Sequence, residues 1–264
     1  MLRQSLLKRP DKSPHAFRRR GVDVSRLEGF SDAVFGFAIT LLVVSLEVPK
    51  TFDDLERTMY GFGGFAVCFT LLSLVWFDHY YFFRYYGLED TLTQVLNLVL
   101  LFLIMFYVYP LKFLFTLLVS FMSGTMPRVA GKPVIAEDQF PTLLLIFGAG
   151  FVGVYVVFTL MYLNAWRQRR ELDLNELEIF DTWAQINSSL ILVALGCVSM
   201  LLALGGTLPL VIASGSMYWL IGPAMGVFWA LSSRARHRLE TKLDAEQLDA
   251  AVLESSATPA AESV

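Results

Sequence analysis

From Arg26 to Val48 the chain reads RLEGFSDAVFGFAITLLVVSLEV, a polar entry followed by a nearly unbroken apolar run. The run from Phe30 to Val48 has the length, about 20 residues, that an α-helix needs to cross the hydrocarbon core of a bilayer. A long basic lead, Met1 to Arg26, precedes it, which raises the alternative of a cleaved signal peptide. No small-x-small cleavage pattern closes the run, which ends Leu46-Glu47-Val48-Pro49, so a retained transmembrane helix is the better reading.

Working outward from this first span, at roughly 28–48, five more segments of spanning length follow. They fall near 58–78, 92–118, 141–165, 183–204 and 208–231, the second running on as a helix toward Tyr86. The expected fold is an all-α integral membrane protein of six transmembrane helices. It divides into a basic N-terminal segment (1–26), a six-helix membrane domain (27–232) and a tail (233–264). In the tail, Leu239 and Leu243 beside Glu240 and Lys242 suggest a short amphipathic helix, with disorder after about Ser255. Composition agrees: 55% of the 264 residues are hydrophobic and only 17% charged, where soluble domains carry about a quarter.

Orientation follows from where Lys and Arg sit. Eight precede the first span (Arg3, Lys8, Arg9, Lys12, Arg18, Arg19, Arg20, Arg26), and Arg84, Arg167, Arg169, Arg170, Arg234, Arg236, Arg238 and Lys242 fall on the same side. Lys50, Arg57, Lys112, Arg128 and Lys132 fall on the other. Both termini are therefore expected in the cytoplasm, consistent with an even number of spans. Residues 119–140, with Gly124, Pro127, Gly131 and Pro133, read as an external loop. Gly205-Gly206-Thr207 makes the last two spans an antiparallel pair, and the acidic stretch Glu171 to Asp181 reads as a solvated connector.

Several chemistries have little to work with. The two cysteines, Cys68 and Cys197, each lie in an apolar run and read as packing residues, and three histidines give no metal-ligand spacing. Asp78-His79 is the one adjacent acid–imidazole pair, with no nucleophile at motif spacing, so an intramembrane enzyme is disfavoured. No metal, cofactor or nucleic-acid partner is expected.

Ionisable residues within apolar spans need an account. Asp32 sits about one turn inside the first helix, where a carboxylate can simply favour the positive end of the helix dipole. Arg26 and His79 lie at the same depth, however, because the first helix goes out and the second returns. A polar cluster of Arg26, Ser31, Asp32, Trp76, His79 and Asn97 at the inner ends of three helices is thus expected, as a packing device. At about 100° per residue, Ala33, Phe37, Leu41, Val44 and Val48 fall on one stripe of the first helix with Thr40 beside it, and Asp32 points about 140° away from Phe37. Periodicity alone leaves open whether that stripe faces lipid, a neighbouring helix or a pore.

The string Arg26-Leu27-Glu28-Gly29-Phe30-Ser31-Asp32-Ala33-Val34-Phe35, continuing through Ala38-Ile39-Thr40-Leu41-Leu42, resembles the Arg-x-x-x-Phe-Ser-Asp signature of the transmembrane protein 175 family. Trp76-x-x-His79, Asn97-Leu98 and Tyr109-Pro110 match in order, so the resemblance covers about the first 120 residues. It implies a potassium-permeable channel, a homotetramer in a prokaryotic plasma membrane with the first helix of each subunit lining a central pore. The permeant ions would be potassium, with sodium or protons as further candidates. By register, the constriction falls on Phe37 and a hydroxyl layer on Thr40, with Leu41 and Val44 continuing the wall. Arg26, Phe30, Ser31, Asp32, Trp76, His79 and Asn97 would lock the pore helix to its neighbours.

The chain departs from the family at Phe37, where Ile or Leu is usual. A ring of four Phe would close the pore more tightly by dewetting or swing aside as a gate. Glu47, with Asp53 and Asp54 just beyond, would form an acidic ring at the outer mouth or remain ordinary solvated charge. Two other readings stay open: a non-conducting membrane relative, and a secondary transporter, though the broken helices and paired repeats usual in transporters are not evident.

Overall fold

The computed structural model describes residues 16–21, 23–44, 50–122, 128–129 and 132–257. The helices are α1 (Arg26–Val44), α2 (Phe52–Tyr86), α3 (Thr91–Met122), α4 (Phe140–Arg167), α5 (Glu176–Leu204), α6 (Leu208–Ser216) and α7 (Ile221–Ala257). Five stretches are long and apolar enough to cross a membrane: 62–86 of α2, 91–117 of α3, all of α4 and α5, and the α6–α7 unit. The 19 residues of α1 would add about 28 Å at 1.5 Å per residue, close to the thickness of a hydrocarbon core. This is an all-helical membrane protein. Between α3 and α4, an antiparallel β pair (β1, Arg128–Val129; β2, Lys132–Pro133) and a 3₁₀ turn at Glu137–Gln139 occupy the expected loop.

Local chemistry sets the helix ends. Ser25 and Glu28 form a reciprocal capping box, each main-chain N–H donating to the other's side chain at 3.1 Å, so α1 starts at Arg26. The same device, Asn175 with Glu178, starts α5 at Glu176, ahead of the expected boundary near 183. The sixth span is not one helix. A 3₁₀ turn over Met217–Leu220 joins α6 to α7, and Pro223 is the physical reason. It has no N–H for the Trp219 carbonyl, and its ring crowds that carbonyl. Beyond the expected end of the span, α7 continues unbroken to Ala257.

The core is apolar and aromatic. Phe35, Ala38 and Leu42 of α1 are buried with Cys68 and Leu72 of α2 and Leu100, Leu101 and Ile104 of α3. α1 packs on α2 and α3, while α4 bridges α3 to α5, and α5 carries α6 and α7. Ser199 and Ser214 tie α5 to α6 by reciprocal hydroxyl-to-carbonyl hydrogen bonds of 3.0 and 2.8 Å.

The segment before α1 is strapped to one end of the bundle. The Arg20 and Gly21 N–H groups donate to the Arg84 carbonyl at 3.1 and 3.2 Å. Gly87, which turns α2 into α3 at φ +59°, lies so close to Arg20 and Gly21 that a Cβ there would sit 3.1 Å from the Gly21 nitrogen. The acidic stretch is a solvated connector only in part: Glu171, Asp173 and Glu176 are exposed, but Glu178 is only 1% exposed, salt-bridged to Arg20 at 2.7 Å and to Arg18 at 3.2 Å. The capping box draws Glu178 into the first turn of α5, facing the strap. Arg236 of α7 pairs with Asp181 at 2.9 Å, so strap, α2–α3 turn, α4–α5 turn and the tail of α7 share one end.

Candidate functional site: the two faces of the first helix

α1 has two unlike faces. Glu28, Ser31, Phe35, Ala38 and Leu42, at steps of three and four, are buried. Gly29, Ala33, Gly36, Phe37, Thr40 and Val43 form the opposite, exposed stripe, with Phe37 55% exposed.

The buried face carries a directional hydrogen-bond chain. The Asn97 amide nitrogen donates to Ser31 Oγ at 2.9 Å, and Ser31 passes its own proton to the Leu27 carbonyl at 2.8 Å. With that nitrogen committed, Asn97 Oδ1 faces His79 Nε2 at 2.8 Å, so His79 donates from Nε2. His79 is 1% exposed and held between the rings of Phe35 and Phe83, at 5.5 and 4.7 Å. Beside this chain, the indole N–H of half-buried Trp76 donates to Asp32 Oδ1 at 2.8 Å. Ser31, Asp32, Trp76, His79 and Asn97 thus join α1, α2 and α3.

Arg26 and Phe30 stand apart. Both are exposed, and among the described residues no hydrogen bond or ion pair links Arg26 to the other members. The arginine that does reach the start of α1 is Arg84, which sequence reasoning passed over: its guanidinium donates to the Gly21 carbonyl at 2.8 Å and lies 3.7 Å from Glu28. Glu28 sits three residues after Ser25, the S-x-x-E spacing that could have flagged both. On the outward stripe, Thr40 donates its hydroxyl proton to the Gly36 carbonyl at 2.8 Å, which leaves the oxygen lone pairs facing away from the bundle. Leu41 is half-buried and packs against the core, flanking the stripe. Glu47 and the side chain of Val44 lie outside the described residues.

Helix α1 is thus keyed to its neighbours by polar side chains, and its opposite face has nothing packed on it among the described residues. Comparison with known proteins gives the family. The family model described as endosomal/lysosomal potassium channel TMEM175 matches residues 26–107. A Marivirga tractuosa protein named "Potassium channel" is 38% identical over 230 residues, spanning 84% of this chain and 93% of that one. A potassium channel of Streptomyces collinus is 33% identical over 82 residues, 29% of this chain and 40% of its own. Among solved structures, a variant of the potassium channel MtTMEM175, crystallised with a nanobody–MBP fusion, superposes with a TM-score of 0.73. It is 38% identical, over 84% of this chain and 98% of that one. The chain belongs to the TMEM175 family, a family of potassium channels and not of enzymes.

Proposed function

We propose that this protein is one subunit of a potassium-permeable channel that conducts passively. The pore would lie on the axis of a homotetramer, with α1 of each copy turned toward it and both chain ends in the cytoplasm of a cell whose plasma membrane holds it. The observation that carries this reading is the outward stripe of α1. A chain that locks one helix face with five polar side chains fixes the direction of the opposite face, and that face carries Phe37 and Thr40. Four Phe37 rings would form the apolar constriction, which excludes ions when it dewets. Four Thr40 oxygens, their protons held by Gly36 carbonyls, would offer lone pairs to a cation about one turn away. Leu41 and Val44 would complete the wall beside them. Glu47 would add negative charge at the outer mouth, concentrating cations there.

The orientation rests on charge. Arg18, Arg20, Arg84, Arg169 and Arg236 gather at the end of the bundle where the strap lies, and basic residues favour the cytoplasmic side. Sodium and protons are the competing permeant ions.

Potassium flux from liposomes reconstituted with the purified protein tests the reading, with sodium and an impermeant organic cation as comparisons. Wild type is expected to pass potassium. Phe37→Ala, by opening the constriction, is expected to raise that flux about tenfold, equivalent to about 1.4 kcal/mol off the barrier. Flux unchanged across Phe37, Leu41 and Val44 substitutions would remove the pore from α1. Absence of flux in wild type and in Phe37→Ala would point to a non-conducting relative, and saturable flux coupled to a proton gradient to a transporter.

A further inference from the structure

Lys112 is an ionisable side chain within the spans to which the proposed pore gives no task. Lys112 lies in apolar α3, two residues after Pro110. An ammonium at such a place is costly without a partner. Lys112 is half-buried, and its Nζ donates to the main-chain carbonyl of Leu42 on α1 at 3.0 Å. Leu42 is buried and belongs to the last described turn of α1, toward the end where the helix dipole is negative and a lysine is the favoured charge. Pro110 has no N–H for the Phe106 carbonyl, which loosens the α3 ladder just ahead of Lys112.

The placement relative to the polar lock is what gives this contact meaning. Among the described residues, two hydrogen bonds tie α3 to α1: Asn97 on Ser31, and Lys112 on the Leu42 carbonyl. The two anchor points lie eleven residues apart on α1, about 16 Å along its axis. Between them come Gly36, Phe37 and Thr40, the exposed stripe. One anchor alone would leave the helix free to pivot about it. Two anchors on the same partner helix fix both its rotation and its depth.

We propose that Lys112 is a positioning residue for α1, a second clamp that sets the rotation of the Phe37–Thr40 face against α3. Its effect on ions rests on the channel reading above, whereas the clamp itself does not. The contact is to a main-chain carbonyl, so side-chain substitutions at Leu42 leave it in place and the lysine is the point of attack.

The test is amide hydrogen exchange, read by mass spectrometry on the full chain in lipid nanodiscs. In Lys112→Met, exchange over residues 38–44 is expected to quicken by about tenfold or more, with residues 26–34 unchanged, because opening becomes local to the released end. Lys112→Arg, which keeps a charged donor, is expected to restore wild-type exchange. Unchanged exchange over 38–44 in Lys112→Met would overturn the clamp. So would equal quickening along all of α1, or an arginine variant no better than methionine. If Lys112→Met is not recovered as a monodisperse protein, Lys112→Gln takes its place against the same arginine control. In parallel, the ratio of potassium to sodium flux is expected to change in Lys112→Met and to hold in Lys112→Arg. Wild type without flux would remove the channel reading and leave the exchange result to decide the clamp.

Discussion

Asn97→Leu tests the polar lock directly, because leucine keeps the branched shape of the side chain while removing both hydrogen bonds. Asn97 is fully buried, with His79 at 2.8 Å on its oxygen and Ser31 at 2.9 Å on its nitrogen. A net hydrogen bond contributes about 0.5–1.5 kcal/mol in water-soluble proteins. Between membrane helices the average is about 0.6 and the maximum about 1.7 kcal/mol. Two bonds therefore come to about 1–3 kcal/mol. Stranding the imidazole of His79 adds about 1 kcal/mol at the least, since it has no water to turn to. Ser31 loses little, because its proton already rests on the Leu27 carbonyl. The expected loss is about 2–4 kcal/mol. Reversible unfolding in mixed micelles, titrated with a denaturing detergent, reads it. A double-mutant cycle with Ser31→Ala isolates the bond between α3 and α1, for which about 0.6 kcal/mol or more is expected. A loss for Asn97→Leu within about 0.5 kcal/mol, the range of an ordinary surface substitution, would refute the lock as a stabilising element.

Two other expectations concern the end of the bundle where the strap lies. Asp90, between α2 and α3, is raised by burial, but hydrogen bonds from Thr93, Gln168 and Asn164 outweigh that and bring its carboxyl below the ordinary value of 3.8. A depressed folded-state value means that Asp90 stabilises the fold above that pH and loses this contribution as pH falls below it. The melting-temperature gap between wild type and Asp90→Asn should therefore narrow only below pH 3.8, and a gap that closes nearer neutrality would contradict the assignment. At Gly21, a Cβ would overlap the Phe83 carbonyl oxygen, so Gly21→Ala must push the strap off the end of α2. The expected cost is about 1–3 kcal/mol, by analogy with overpacking, measured by the same detergent titration, and a neutral result would show the strap to be loosely seated.

What could be read from residues alone was governed by pattern length. Apolar runs near twenty residues stand out from any background, and five of the expected spans coincide with stretches long and apolar enough to cross a membrane. Boundaries were harder, because a capping box such as Asn175 with Glu178 is a two-residue signal that extends a helix into polar sequence. The break at 217–220 arises from one proline acting four residues upstream, inside a run that hydropathy reads as continuous. Within the site, Ser31, Asp32, Trp76, His79 and Asn97 were legible because polar groups in apolar helices must find one another. Arg84 and Glu178 were not. Glu178 sits in polar sequence where charge is ordinary and Arg84 at the aromatic end of α2, and only the folded strap makes them partners of buried groups.

The strap also sets a limit on travel. Gly21 is seated by its N–H on the Arg84 carbonyl, and Ser25 begins α1. Four residue steps separate them, and four steps reach about 14 Å when fully drawn out. The N-terminal end of α1 is therefore on a short leash pegged to α2, while nearer its other end the Leu42 carbonyl is held to α3 by Lys112. Movement of α1 in the bilayer is thus bounded at its start by this tether, separately from the contacts that α3 makes with Ser31 and Leu42. A larger excursion would have to draw Arg18 and Arg20 away from Glu178. The salt bridges at one end of the bundle thus work as a stop on how far the helix inside the membrane can move.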